Sequence, residues 1–307
     1  DLVVLGSVNV DLVTHVEAFP VPGETLLGSD YETHYGGKGA NQAVAAARMG
    51  ASTRFVGMVG SDAFGTAMRG SLAAEGIDVD HLGVVEGPSG AAFITIDAVG
   101  QNTIIVAPGA NGAVRADALS GGALEGARVL LMQLEVPVAE VEEAMRLGAR
   151  AGAMVVVNAS PVPRHGSLDL SRCDVLVVNE TEAAGLLGGE QGEGVAQVPA
   201  TSLLPRLAEL VPNVILSLGA EGVAWTSGGA SGLVPAHVVP NVVDTTGAGD
   251  AMLGAVASAL AGGADLAEAV AFGNAAGALA VTKRGAQPSL PYRVEVEALL
   301  RGASVVG

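Results

Sequence analysis

The sequence predicts an α/β protein built on a mostly parallel central sheet with helices on both faces. Short β-rich runs alternate with Ala-rich helical stretches, the rhythm of right-handed βαβ units. Half of the residues are hydrophobic but only 3% are aromatic. A core made of Ala, Val, Leu and Gly suits helices packed closely on a buried sheet better than a β-sandwich. The 307 residues are accommodated by one large α/β domain carrying a small subdomain.

The strand-like runs, in order, are Leu2 to Leu5, Thr53 to Val59, Val129 to Gln133, Met154 to Asn158, Val175 to Val178 and Val214 to Leu218. Ligands of such a sheet gather at the carboxyl ends of its strands. Two segments break the rhythm: Val10 to Tyr35, and the hairpin-like Ala91 to Ala107, which Gly100 punctuates. Both read as one small β-sheet, about residues 10–35 and 91–107, serving as a lid or as the surface of a homodimer, because an exposed sheet edge invites pairing. Gly185 to Gly194 reads as a loop. Ala251 to Ala264 is apolar, yet a helix of that length spans only about 20 Å, so it reads as a core helix and not a membrane span.

Lys and Arg number 15 against 32 Asp and Glu, a net charge of −17. That field repels a nucleic acid backbone. It opposes an anionic nucleotide as well, so a phosphate site needs short-range donors: backbone amides, a helix terminus, a cation or a single Lys. The lone Cys173 forms no internal disulfide and no zinc site by itself. With no basic-then-apolar leader in front of Leu2, the expectation is a cytoplasmic protein.

Four segments carry chemistry. In Val242-Val-Asp-Thr-Thr-Gly-Ala-Gly-Asp250 a strand end, a Gly-rich turn and a helix expected to start near Ala251 follow in succession. Gly247 and Gly249 let their amides approach an anion, and Asp250 in the first turn is either a base for an attacking hydroxyl or a favourable helix-start residue. Gly36-Gly-Lys-Gly-Ala-Asn-Gln-Ala43 leads into the Ala-rich helical run Val44 to Met49; Gly37 admits close approach, and Lys38 and Asn41 donate to a ligand's hydroxyls, or else the segment is a loop with an exposed Lys. In Gly6-Ser-Val-Asn-Val-Asp11, strand alternation puts Asn9 and Asp11 on one face, although Asx turns explain the same residues. Asn179-Glu-Thr-Glu182 reads equally as a capping box or as a pair holding the water ligands of Mg²⁺. Glu135 bonds a ligand hydroxyl or ends its strand. The histidines at 15, 34, 81, 165 and 237 have no metal-ligand spacing. A third Gly is missing at position 252, and no Gly-x-x-x-x-Gly-Lys-Ser/Thr loop occurs, so dinucleotide and P-loop signatures are absent.

Together with Leu131-Met-Gln-Leu-Glu135 and Lys283-Arg-Gly-Ala-Gln-Pro-Ser289, these segments resemble the ribokinase family, within the PfkB carbohydrate kinases, over nearly the whole chain. The resemblance implies a three-layer α/β/α sandwich and ATP-dependent phosphorylation of a small furanose, D-ribose first, at its 5-hydroxyl. It implies a sugar site of Asn9, Asp11, Gly37, Lys38, Asn41 and Glu135, with Asp250 as base and Gly247, Ala248 and Gly249 as anion hole. Asn179 and Glu182 resemble the magnesium-side positions; Ser217, Gly219, Gly222 and Asn274 border the nucleotide. An activating K⁺ is implied at Asp244 and Ser289, with carbonyls of Thr246, Ala280, Lys283 and Gly285, a hard oxygen set suited to an alkali cation. Ser217 in place of a familiar Thr, and Asn158-Ala-Ser-Pro161, depart from the family pattern near the nucleotide. Another furanose, a nucleoside, or a sugar-binding regulator without catalysis are the alternatives.

Overall fold

The computed structural model describes residues 1–163, 167–188 and 199–302. His165 and positions 189–194 of the expected loop lie outside them.

The strands are β1 (Leu2–Leu5), β2 (Asn9–His15), β3 (Glu32–Gly36), β4 (Thr53–Gly60), β5 (Leu82–Val85), β6 (Gly90–Ile96), β7 (Asn102–Ala107), β8 (Val129–Gln133), β9 (Met154–Asn158), β10 (Val175–Asn179), β11 (Asn213–Ser217), β12 (Val223–Ser227) and β13 (Ala230–Val234). The α-helices are α1 (Lys38–Arg48), α2 (Ala63–Ala74), α3 (Val138–Ala151), α4 (Glu180–Leu186), α5 (Ala200–Ala208), α6 (Ala248–Gly262), α7 (Leu266–Ala280) and α8 (Arg293–Leu300).

Nine strands form the main sheet in the order β13-β12-β11-β10-β9-β8-β1-β4-β5. All neighbouring pairs from β11 to β5 are parallel, while β12 and β13 run antiparallel at one edge. Alternate strand residues feed the two faces. Leu2, Val4, Leu131 and Val177 pack with α1, α6 and α7, whereas Val3, Leu5, Met132 and Val178 pack with α3, α4 and α5. The result is the expected three layers, with both faces of the sheet dry.

The chain leaves β1 for β4 on one side and returns to β8 on the other. A crevice therefore opens at the carboxyl ends of β1 and β8, where oppositely directed crossovers diverge. Close helix packing narrows its floor: a Cβ on Gly254 of α6 would lie 2.4 Å from that of Ala45 on α1.

A second sheet of order β3-β2-β6-β7 joins the two segments that broke the α/β rhythm. Strands β6 and β7 form the hairpin expected around Gly100, at φ 84°. Along β7, Ile104, Ile105 and Val106 are exposed. Cys173 is buried and free. Among the described residues no helix is long and apolar enough to cross a membrane.

Several boundaries differ from the sequence expectation. Strand β11 sits one residue earlier than expected, and β10 extends to Asn179. Helix α6 begins at Ala248, not near Ala251, and α1 begins at Lys38 directly after two glycines. In both helices a glycine at positive φ, Gly247 or Gly37, is the N-cap, so the Gly-rich stretch is itself the helix entry.

Candidate active site

The start of α6 lies on the crevice. Gly247 sits at φ 77°, and a Cβ there would approach Ala286 Cα to 3.1 Å, so both backbone angle and space call for glycine. The Ala248 N–H is taken by the Thr245 carbonyl at 3.2 Å. The amides of Gly247, Gly249 and Asp250 have no partner among the described residues. Free amides at a helix start, with the dipole behind them, attract an anion.

Asp250, in the first turn of α6, is buried. Its Oδ2 accepts from Asn41 Nδ2 at 3.0 Å and its Oδ1 from Gln42 Nε2 at 2.8 Å. Burial pushes its carboxyl above the ordinary value, and Glu135 adds to the push. Lys38, Asn41 and Gln42 pull the other way. For Lys38 burial disfavours the ammonium, but the surrounding Asp250, Glu135 and Glu182 outweigh it and raise its pKa. A carboxylate whose affinity for protons is raised, at an anion-binding helix start, is equipped to take a proton from an alcohol.

Lys38 is therefore no exposed loop residue: it opens α1 and lines the same cavity as Asp250. Its backbone N–H donates to Glu135 Oε2 at 3.0 Å, and Ser7 Oγ donates to the same oxygen at 2.6 Å. Glu135 thus does more than follow the end of β8, since it caps α1 and joins it to the segment between β1 and β2. Gly37, at φ 88°, would place a Cβ 2.8 Å from the Asn9 backbone N, which explains why only glycine brings α1 this near. Asn41 Oδ1 is one of two buried side-chain polar atoms without a partner among the described residues, and a ligand hydroxyl would satisfy it.

Asn9 and Asp11 both lie in β2, which overturns the Asx-turn alternative. Asn111 Nδ2 donates to Asn9 Oδ1 at 2.7 Å and to the Val8 carbonyl at 3.1 Å, while its Oδ1 accepts from Val8 N–H at 2.9 Å. That clamp points the Asn9 NH₂ group outward as a donor. Asp11 is pushed up to about 7 by burial first, then by Glu135 and Asp250, against His34. Three carboxylates facing one another is a costly arrangement that polar donors from a ligand would relieve.

On the other side the cavity, about 230 Å³, is walled by Lys38, Asn179, Glu182, Ser217, Gly249 and Asp250. Asn179 and Glu182 form a complete capping box on α4, with reciprocal bonds of 2.8 Å, and both still reach the cavity. The capping-box reading therefore holds, and it leaves both side chains on the cavity wall. Gly219 and Gly222 bound the short 3-10 turn after β11. Asn274 ties α7 to the Pro235 carbonyl at 2.8 Å. These three stand outside the cavity walls.

Next to the α6 start, Asp244 accepts from the N–H groups of Thr246 and Gly285, both at 2.9 Å. Burial raises its carboxyl, yet the Gly285 and Thr246 donors outweigh that and hold it below the ordinary value. Ser289 Oγ donates to the Ala286 carbonyl at 2.8 Å, and the Ala280 carbonyl accepts from Lys283 N–H at 3.2 Å. The loop around 283–289 is thereby folded against the helix entrance.

Sequence reasoning missed Ser7, Gln42, Asn111, Gln133 and Asn158. Gln133 had a signal, a single amide closing an otherwise apolar buried strand. Gln42 was hidden beside Asn41.

Residues 1–293 match the family described as pfkB family carbohydrate kinase. The chain belongs to this family. Within the PfkB family it is similar to a ribokinase of Haemophilus influenzae, 40% identical over 305 residues, covering 98% of this chain and 99% of that one. A deoxyribokinase of Salmonella typhi is 34% identical, with 95% of each chain covered. Among solved structures, that of Arabidopsis thaliana ribokinase complexed with ribose and ATP superposes with a TM-score of 0.85 at 33% identity, covering 98% of both chains. The PfkB fold and the three-layer expectation agree.

Proposed function

We propose that this chain transfers the γ-phosphoryl group of ATP to the 5-hydroxyl of D-ribose, with Asp250 as the base. The observation that carries the reading is the meeting, in one cavity, of the Asp250 carboxylate, the open start of α6 and Lys38. Phosphoryl transfer asks the protein for position and charge stabilisation more than for covalent help. Asn9, Asp11, Gly37, Lys38, Asn41 and Glu135 would hold the sugar. The alcohol gives its proton to Asp250 as it attacks in line, and the amides of Gly247 and Gly249 absorb charge on the migrating phosphoryl group.

Among the described residues no group of three or more His, Cys, Asp or Glu is arranged to hold a metal ion. A divalent ion here would be carried by nucleotide phosphates and water, with Asn179 and Glu182 touching it through that water. Mg²⁺ bound with ATP supplies neutralisation of the phosphate charge. Asp244, Ser289 and the nearby carbonyls of Thr246, Ala280, Lys283 and Gly285 are oxygen donors compatible with K⁺, which would stiffen the loop against the α6 start. Ser217, Gly219, Gly222 and Asn274 would border the nucleotide as an open shelf.

Residues 10–35 and 91–107 would act as a lid that excludes water, within a single domain spanning 1–307. The exposed apolar residues of β7 favour pairing of two copies through that sheet, and the single buried thiol suits the cytoplasm. The similarity to a deoxyribokinase supports 2-deoxyribose as the second acceptor. Measuring ADP release with ribose, 2-deoxyribose, fructose and adenosine tests the assignment. Ribose should give the highest kcat/KM, and a higher value with any other acceptor would replace it.

A further inference from the structure

A buried side-chain amide has one donor end and one acceptor end, so a neighbour of fixed polarity dictates which way it faces. Such a chain of orientations runs through the floor of the crevice. It starts at the backbone carbonyl of Val177, which can only accept. Asn158 Nδ2 donates to it at 3.2 Å, so Asn158 Oδ1 must face away, toward Gln42. Gln42 Nε2 donates to that oxygen at 3.2 Å and to Asp250 Oδ1 at 2.8 Å. Gln42 Oε1 must then look for a donor, and receives Gln133 Nε2 at 2.6 Å. Gln42 and Gln133 are both 0% exposed.

The chain ends at a cost. Gln133 Oε1 is the second buried polar atom with no partner among the described residues. It faces the Gly6 backbone, where a Cβ would meet it at 2.1 Å. An orphaned acceptor in a core is retained where its other half is needed, and here the other half is the NH₂ group that locks Gln42.

We propose that Gln42, locked in place by Gln133, is the positioning residue of the catalytic carboxylate: it fixes the plane of Asp250 and keeps it ionised for proton abstraction. This rests on Asp250 being the base. Gln42 does not itself line the cavity, and of the groups assigned to the sugar its side chain bonds only Asp250. The charged groups facing Asp250 come from three other places: Lys38 at the start of α1, Glu135 after β8 and Asp11 on β2, with Glu182 of α4 acting on Lys38. All stay in place when the amide is removed. A donated hydrogen bond stabilises the ionised carboxylate, so its loss raises the pKa further and leaves more of the base protonated at a given pH.

The test is the pH profile of the single-turnover phosphoryl-transfer rate, with saturating ATP and ribose, for Gln42→Met and Gln133→Met. In Gln42→Met the acid limb should move up by about one to two pH units, the worth of a hydrogen bond to a charged acceptor. The rate should recover on the alkaline side, with little change in the KM for the sugar. Gln133→Met, which touches no atom of Asp250, should move the limb the same way by less. If Gln42→Met does not fold, the Gln133→Met limb decides alone. Limbs at the wild-type position in folded variants, or a loss confined to KM, would overturn the proposal. Asp250→Asn separates the two readings. Activity retained there removes the base itself, whereas activity lost with unmoved limbs removes only the role of Gln42.

Discussion

Helices α1 and α6 begin alike and end up serving opposite purposes. Each follows a glycine at positive φ, Gly37 at 88° and Gly247 at 77°, and neither has a side-chain cap from its own N-cap residue. Both starts converge on Asp250. At α1 the protein supplies the anion itself, the Glu135 carboxylate on the Lys38 amide. At α6 it supplies none, and three amides stay free among the described residues. A filled helix start is an anchor, and an open one in a cavity is a place for a ligand's negative charge. On the function proposed above, the sugar belongs on the α1 side and the phosphoryl group on the α6 side.

The largest way to break this comparison is Asp250→Asn. It should lower kcat by about 10² to 10⁴, the usual contribution of a general base, while ribose still binds; calorimetry beside turnover measurements would check both halves. A second test lies on the α1 side. Asp11, pushed up to about 7, would accept sugar hydroxyls more strongly, and through both oxygens, as a carboxylate. Ribose affinity should therefore fall by up to about tenfold for each pH unit below that value. Asp11→Asn should bind more weakly and lose the pH dependence, and calorimetry across that range reads the slope.

Gly247→Ala should cost roughly 1–2 kcal/mol in stability from the left-handed backbone alone. Because the free amides would tilt, it should also slow turnover, which thermal melts and initial rates would measure. The smallest effect belongs to Glu135→Gln. Replacing the charge on the α1 start should cost about 0.3–1 kcal/mol by denaturant titration. Since the Glu135 charge raises Asp11, its removal should also move the pH dependence of ribose affinity to lower pH.

The elements legible in the sequence were those whose signal is local. Apolar runs such as Leu2–Leu5 and Val129–Gln133 match their strands, and the two segments that broke the alternation became one separate sheet. Helix starts were misplaced at α1 and α6 because a glycine N-cap looks like a turn until its φ is known. The glycine turn and Asp250 stand out because residue types and spacing coincide there. Gln42 and Asn158 could not stand out, and the amide of Gln133 at the end of an apolar strand named no partner, since their meaning comes from three elements far apart in sequence meeting behind Asp250. Asn179 and Glu182 show a different limit: one capping box serves the helix and faces the cavity at once.

The most direct measurement is of the amides themselves. In ¹⁵N-labelled protein, addition of ribose with ADP and aluminium fluoride, a mimic of the migrating phosphoryl group, should shift the Gly247 and Gly249 resonances strongly. The Lys38 amide, already held by Glu135, should move little. Unperturbed Gly247 and Gly249 amides in a saturated complex would contradict the account.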